Sequence, residues 1–172
     1  RPRPGVRVHG WGGHTADGWA ELVDGAAAVV NLAGASIAGG RWTSERKARI
    51  RGSRIDAVRA VVAAVEKSRK PPRVVVQASA VGVYGTRGDE PIDEHEPPGH
   101  DFLARLVVDH EAIAAQVREQ GVRLAVARTG VVLASEGGAL PLMALPFRLL
   151  VGGPVGSGRQ YVSWIHLADE VA

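Results

Sequence analysis

Apolar residues along this chain fall in short runs separated by amphipathic stretches, and that alternation sets the expected order of elements. Val6 to His9 reads as a short strand, followed by a Gly/His/Thr loop and a short helix around Trp19 to Val23. Ala27 to Leu32 reads as a buried strand. Past the glycine-rich loop 34–40, a long helix is expected from about Thr43 to Lys67. Its Ile55, Val58, Val62 and Val65 recur at spacings of three and four, which gathers them into one apolar stripe. Pro71-Pro72 ends that helix. Val74 to Ser79 is β-branched and nearly uniform in apolarity, as in a parallel sheet covered on both faces.

The segment 85–100 is rich in Gly, Pro, Asp and Glu and reads as a long surface loop of a length associated with function. A second helix is expected over about Asp101 to Gln120, with Gly121 as its stop. Val122 to Leu133 holds another strand, a short helix falls near Leu142 to Leu150, and Asp169-Glu170 opens a further helix. Strand–helix alternation of this kind predicts an α/β fold with a doubly wound parallel sheet. At 172 residues and 45% hydrophobic, the chain suffices for one domain.

Composition narrows the chemistry. The absence of cysteine removes disulfides, thiolate catalysis and Cys-based metal sites, and fits a reducing cytoplasm as the expected location. The net charge is only +3, although the sequence pI is 9.8. One local cluster, Arg46 to Arg54, qualifies as a basic face; a solvated or anion-facing helix is the favoured reading over nucleic-acid binding. No nucleic-acid partner is expected. No apolar run approaches the ~20 residues needed to span a bilayer, and Ala139 to Val151 is interrupted by Pro141, Pro146 and Arg148, so no membrane association is expected. No His, Asp or Glu pair has metal-site spacing, and no metal is expected.

The strand 27–32 ends in Asn31-Leu32-Ala33-Gly34. An amide side chain, a small residue and a glycine at a strand end let backbone and ligand approach closely. Cofactors bind beyond the carboxyl ends of strands in open α/β sheets, so this end suggests a nucleotide crevice. Gly10, Gly13 and Ala16 also satisfy the G-x-x-G-x-x-A spacing of a phosphate loop. That reading is rejected: the following helix is too short for a βαβ crossover, and His9 and Trp11 place bulk where backbone must meet pyrophosphate.

Asn31-Leu32-Ala33-Gly34 followed by Ser79-Ala80-Val81-Gly82-Val83-Tyr84-Gly85 resembles the short-chain dehydrogenase/reductase superfamily. Within its extended branch, the chain is similar to the atypical NAD-dependent epimerase/dehydratase-like proteins, a subgroup labelled "epimerase family" or "cell-division inhibitor". Gly39-Gly40-Arg41-Trp42, Arg128-Thr129-Gly130-Val131-Val132-Leu133, Pro146-Phe147-Arg148-Leu149 and the stretch from Gly156 to Leu167 agree with it. The resemblance covers essentially the whole chain.

The resemblance implies a Rossmann-like sheet and a dinucleotide cofactor, NADP or NAD. It implies cofactor contacts at Asn31, Leu32, Ala33, Gly34 and Ser36, and at Ala78 and Ala80 near the nicotinamide ribose. Tyr84 and Ser79 become the catalytic candidates; for Tyr84 the alternative is a half-buried aromatic with a locally satisfied hydroxyl. Arg159 becomes a candidate for holding substrate, since Val162 falls near the position of the family's diphosphate-binding Arg. His100, Asp101 and Arg105 are further polar candidates around the crevice mouth, and His166 reads as structural. The family's Tyr-x-x-x-Lys pair, whose Lys lowers the pKa of the acid/base Tyr, falls on Leu103 and Val107, which transfer no proton. Its catalytic Ser/Thr falls on Ala80, and Ser79, one residue earlier, points to the opposite face of the strand.

The family also has a first strand, a glycine-rich phosphate loop, a helix and a second strand ahead of Val6, and a substrate-side region beyond Ala172. The 172-residue chain is therefore expected to be a fragment, a partial NAD(P)-binding Rossmann domain over 1–172. Such a fragment should bind dinucleotide weakly or not at all. In the family's 3-2-1-4-5-6 order, strand 27–32 would be left with a bare apolar edge, which favours association into homo-oligomers. Two functions compete: an NAD(P)-dependent epimerase/dehydratase-like oxidoreductase acting on a sugar nucleotide or small carbonyl compound, or a non-catalytic dinucleotide-sensing or protein-interaction module that has lost the Tyr-x-x-x-Lys pair.

Overall fold

The computed structural model describes residues 4–38 and 40–172, so Gly39 of the Gly39-Gly40-Arg41-Trp42 stretch lies outside the described residues. The chain divides into two compact units, Arg1–Ala78 with Val108–Val126, and Ser79–Val107 with Ala127–Ala172.

The first unit is built on a parallel pair, β1 (Ala28–Asn31) and β2 (Val74–Ala80), in which Ala28 lies opposite Val74 and Asn31 opposite Gln77. β3 (Arg123–Thr129) flanks β2 on its other side, giving the order β1-β2-β3. The crossover from β1 to β2 is α1 (Ser44–Lys67), and that from β2 to β3 is α2 (Phe102–Ala114), which continues as a 3-10 segment, Ala115–Gln120. This is the α/β arrangement expected from the alternation, and it is consistent with the Rossmann-like sheet that the resemblance implies.

α1 starts where its chemistry says it should. The Thr43 hydroxyl accepts from the Arg46 amide at 3.2 Å, Glu45 sits in the first turn and Lys67 in the last. The predicted stripe is buried, but Ile50, Ala57, Ala60, Val61 and Ala64 are buried too. The helix is covered on more than one side, because Val61, Val62 and Val65 share a core with Val23, Val75, Val117 and Val122.

The sheet is not covered on both faces as the strand composition suggested. Val29 packs on the core and Asn31 is buried, whereas on the alternate face of β1 Val30 is 58% exposed and Leu32, just beyond, 76%. The same alternation holds in β2, where Val75 and Gln77 are buried between half-buried neighbours. The cause is that α1 and the 3-10 segment contribute to one core, on the face of Val29 and Val75. The expected strand Val6 to His9 does not form; Val6 and Val8 are exposed, and the segment pairs with no strand among the described residues. The helix expected near Trp19 is a 3-10 turn, Ala20–Leu22, beside Trp11 and Trp19, whose indoles both donate to the Thr15 carbonyl.

The second unit holds a small sheet of β4 (Val131–Ala134), β5 (Gly137–Gly138) and β6 (Trp164–His166), ordered β5-β4-β6. β4 pairs antiparallel with β5 and parallel with β6. The single strand expected over 122–133 is two strands, interrupted at Gly130. A Cβ there would lie 2.8 Å from the Ser163 carbonyl oxygen, so the close approach of the two backbones requires glycine. α3 (Ala139–Arg148) begins three residues earlier than expected, and α4 (Leu167–Glu170) follows β6. The loop after the 3-10 turn Val81–Tyr84 is pinched at its base: Gly99 donates to the Val83 carbonyl at 2.8 Å, and a Cβ on Gly99 would lie 2.8 Å from the Gly85 Cα. No described helix is long and apolar enough to cross a membrane.

Candidate functional site

The segment leaving β1 is held by side chains beneath it. Asn31 is 4% exposed; its Oδ1 accepts from the Ala33 amide at 3.1 Å, which turns the chain at once. The Ala35 amide donates to Ser53 Oγ at 2.9 Å, and the Ala35 carbonyl accepts from the Arg54 guanidinium at 3.0 Å. Arg46 donates to the carbonyls of Ser36 and Ala38 at 3.4 and 2.6 Å, and the Ser36 hydroxyl accepts from the Ala38 amide at 3.2 Å. Asn31, Ser53, Arg54, Arg46 and the loop's own Ser36 thus fix a loop of small residues at the carboxyl end of an edge strand. A Cβ on Gly34 would lie 3.1 Å from the Arg54 side chain, so a larger residue there would make the arginine shift.

The support continues inward. Asn31 Nδ2 donates to Gln77 Oε1 at 2.9 Å, and Gln77 Nε2 lies 3.0 Å from His110 Nε2. Gln77 is 1% exposed and His110 4%. Burial lowers the His110 pKa, the Arg54 charge lowers it further, and Glu111 opposes them. Burial also lowers the Arg54 pKa from the ordinary guanidinium value. Ala78 follows Gln77 on β2 and is half-buried.

In the second unit, Tyr84 is buried with Val83 and Val107. Its hydroxyl accepts from Arg128 at 2.9 Å, and Arg128 also donates to the Glu94 carbonyl at 3.1 Å. Tyr84 lines a depression of about 570 Å³ together with Arg87, His100 and Asp101. Arg87 closes one side by donating to the carbonyls of Tyr84 and Pro97. Asp101 caps α2 by accepting from the Ala104 amide at 2.8 Å, and Arg105 donates to the His100 carbonyl. Ser79 and Ala80 are half-buried at the end of β2. Arg159 is exposed in the 150s loop, where its amide donates to Ser157 Oγ at 3.3 Å. His166 caps α4 by accepting from the Ala168 amide.

The structure therefore brings Asn31, Ala33, Gly34 and Ser36 into one pinned loop, and Tyr84, His100 and Asp101 around one depression. Sequence reasoning missed Arg46, Ser53, Arg54, Gln77, His110 and Arg128. A usable signal existed for some of them: a Gln inside the apolar run 74–79 is a polar group in a buried strand and needs partners. The Arg46–Arg54 cluster was read as a face toward solvent or an anion, yet Arg46 and Arg54 hold the loop and Arg51 pairs with Asp109 at 2.6 Å. Among the described residues, no group of three His, Asp or Glu side chains is arranged to hold a metal.

Comparison with known proteins shows the family of the chain. The family model described as NAD dependent epimerase/dehydratase family matches residues 13–172. The chloroplastic epimerase family protein SDR39U1 homolog of Arabidopsis thaliana is 44% identical over 155 residues, covering 89% of this chain and 44% of that protein. The crystal structure of human epimerase family protein SDR39U1 (isoform 2) with NADPH superposes with a TM-score of 0.74 at 37% identity, over 83% of this chain and 49% of that one. A nucleoside-diphosphate sugar epimerase from Corynebacterium glutamicum gives 0.78 at 36% identity, over 98% of this chain and 34% of that one. The chain thus spans half or less of the length of these relatives.

Proposed function

The chain belongs to the NAD dependent epimerase/dehydratase family, and on that premise we propose that its first unit supplies one wall of an NAD(P) site in an oxidoreductase or epimerase acting on a sugar nucleotide or a small carbonyl compound. The observation that carries this is the pinned loop after β1. Its residues are small, and its backbone is fixed from behind by Asn31, Ser53, Arg54 and Arg46. It also lies at the carboxyl end of an open parallel strand, where α/β folds take nucleotides. Preorganised backbone of this kind reduces the ordering cost of binding a flat, close-fitting ligand. The NADPH in the human relative's structure supports the choice of cofactor.

The residues that fit are Leu32, Ala33, Gly34 and Ser36, with Ala78 at the end of the paired part of β2. Asn31 works from below: its amide is engaged by Gln77 and Ala33, and it presents the loop rather than reaching outward. When bound, the dinucleotide supplies hydride transfer at its nicotinamide. In the second unit, Tyr84 is proposed as the acid/base group; its hydroxyl is held by Arg128, and the residue lines the depression described above. Ser79, Ala80 and Arg159 are its further candidates for contact with cofactor or substrate. Cytoplasmic location rests on the absence of cysteine, and self-association on the exposed Val30 and Leu32.

One observation favours a second reading, a cofactor-sensing module without turnover. Val107, where the family's Lys would stand, is buried against Val83 and Tyr84. The experiment that separates the two takes the natural full-length protein with NADPH and follows the nicotinamide absorbance across carbonyl and sugar-nucleotide panels. Absorbance loss with one panel supports the enzyme; binding without any loss supports the sensor; no binding overturns both.

A further inference from the structure

Three buried side chains of the first unit form one chain of hydrogen bonds whose two ends are backbone groups. Gln77 Nε2 carries two hydrogens and faces the Ala78 carbonyl at 3.0 Å, the Asn31 carbonyl at 3.5 Å and His110 Nε2 at 3.0 Å. Gln77 Oε1 accepts from Asn31 Nδ2, and Asn31 Oδ1 accepts from the Ala33 amide. Flipping the Gln77 amide would set its oxygen against the Ala78 carbonyl and its nitrogen against Asn31 Nδ2. Flipping Asn31 as well would only move the conflict, leaving Nδ2 facing the Ala33 N–H. The polarity is fixed at one end by a carbonyl and at the other by an amide, so His110 Nε2 must offer a lone pair.

We propose that His110 is a positioning residue for the loop 31–36: as a neutral imidazole carrying its proton on Nδ1, it locks Gln77, and through Gln77 and Asn31 it holds the Ala33 amide. Its protonation then sets donor against donor at Gln77, frees the loop and weakens dinucleotide binding in acid. The binding half rests on the reading of this loop as a cofactor wall. The charged groups acting on the imidazole are Arg54, from α1, which disfavours the cation, and Glu111, on its own helix, which favours it. A histidine serving only to fill the core would sit equally well in either tautomer, and Ala33 would not respond to it.

The test uses the natural full-length protein, isotope-labelled, with NAD⁺ as the probe because its diphosphate does not titrate in the range scanned. Imidazole nitrogen spectra should show His110 protonated on Nδ1 at neutral pH. The Ala33 amide shift should follow His110 as pH falls, and the NAD⁺ dissociation constant should rise about tenfold over the same interval, by linkage. His110→Gln keeps a neutral acceptor and should hold Ala33 in its neutral-pH position with no titration. His110→Leu should displace Ala33 at every pH; should it fail to fold, His110→Gln and the wild-type titration still decide. A proton on Nε2 at neutral pH, an Ala33 amide indifferent to His110, or pH-independent NAD⁺ binding overturns the proposal. An Ala33 amide that follows His110 with no NAD⁺ binding at any pH overturns the cofactor reading and leaves the loop switch standing.

Discussion

Arg54 passes beside Gly34, where a Cβ would lie 3.1 Å from it, and its guanidinium bonds the Ala35 carbonyl at 3.0 Å and the Ile50 carbonyl at 3.3 Å. The arginine thereby ties the loop after β1 to the helix that follows it in sequence. Arg54→Ala should cost about 2 kcal/mol of stability, the scale of charge-assisted hydrogen bonds lost to buried acceptors. Urea unfolding of the two proteins checks this. Arg54→Lys should recover only part of the loss, since one ammonium does not reproduce the planar fork.

Acid should destabilise the first unit through His110. Its folded-state pKa is depressed below the ordinary 6.5, so the unfolded chain binds the proton first and stability rises with pH in that window. The contribution is complete above 6.5 and is lost as pH falls toward the depressed folded value. Unfolding midpoints measured from neutral pH downward should fall across this interval in the wild type, with His110→Gln lacking this component.

Thr43→Ala should destabilise α1 by about 1 kcal/mol, the usual cost of an N-cap hydroxyl. The change leaves the cofactor loop's own supports in place. Thermal unfolding should register the loss, with amide shifts at Ala33 and Ala35 unchanged at neutral pH.

Gly130→Ala should disrupt the β4–β6 pairing in the second unit, because the added methyl would lie 2.8 Å from the Ser163 carbonyl. Hydrogen exchange at the Val131 amide, which donates to Ser163 at 2.8 Å, should accelerate sharply. Exchange at the α1 amides should not.

Much of the architecture was legible because it follows from periodicity. The boundaries of α1 come from Thr43, the three-and-four spacing and Pro71-Pro72, all local signals. Val6 to His9 misled because a strand needs a neighbour, which a one-residue-at-a-time reading does not supply. The run 122–133 misled because Gly130 breaks it through an approach by Ser163, distant in sequence. The loop at Asn31 was legible from its small residues, but its supports were not. Gln77 and His110 meet Asn31 only through the parallel register of β1 with β2 and the packing of α2, and Arg54 was masked by neighbours that made it look like part of a charged surface.

The central claim is that the loop 31–36 is a dinucleotide wall, and an amide-resolved titration of the natural full-length protein with NADPH tests it most directly. The account predicts saturable binding with shifts that include Asn31, Leu32, Ala33, Gly34, Ser36 and Ala78. Saturable binding that leaves all of these amides unshifted, or no binding at all, would contradict it.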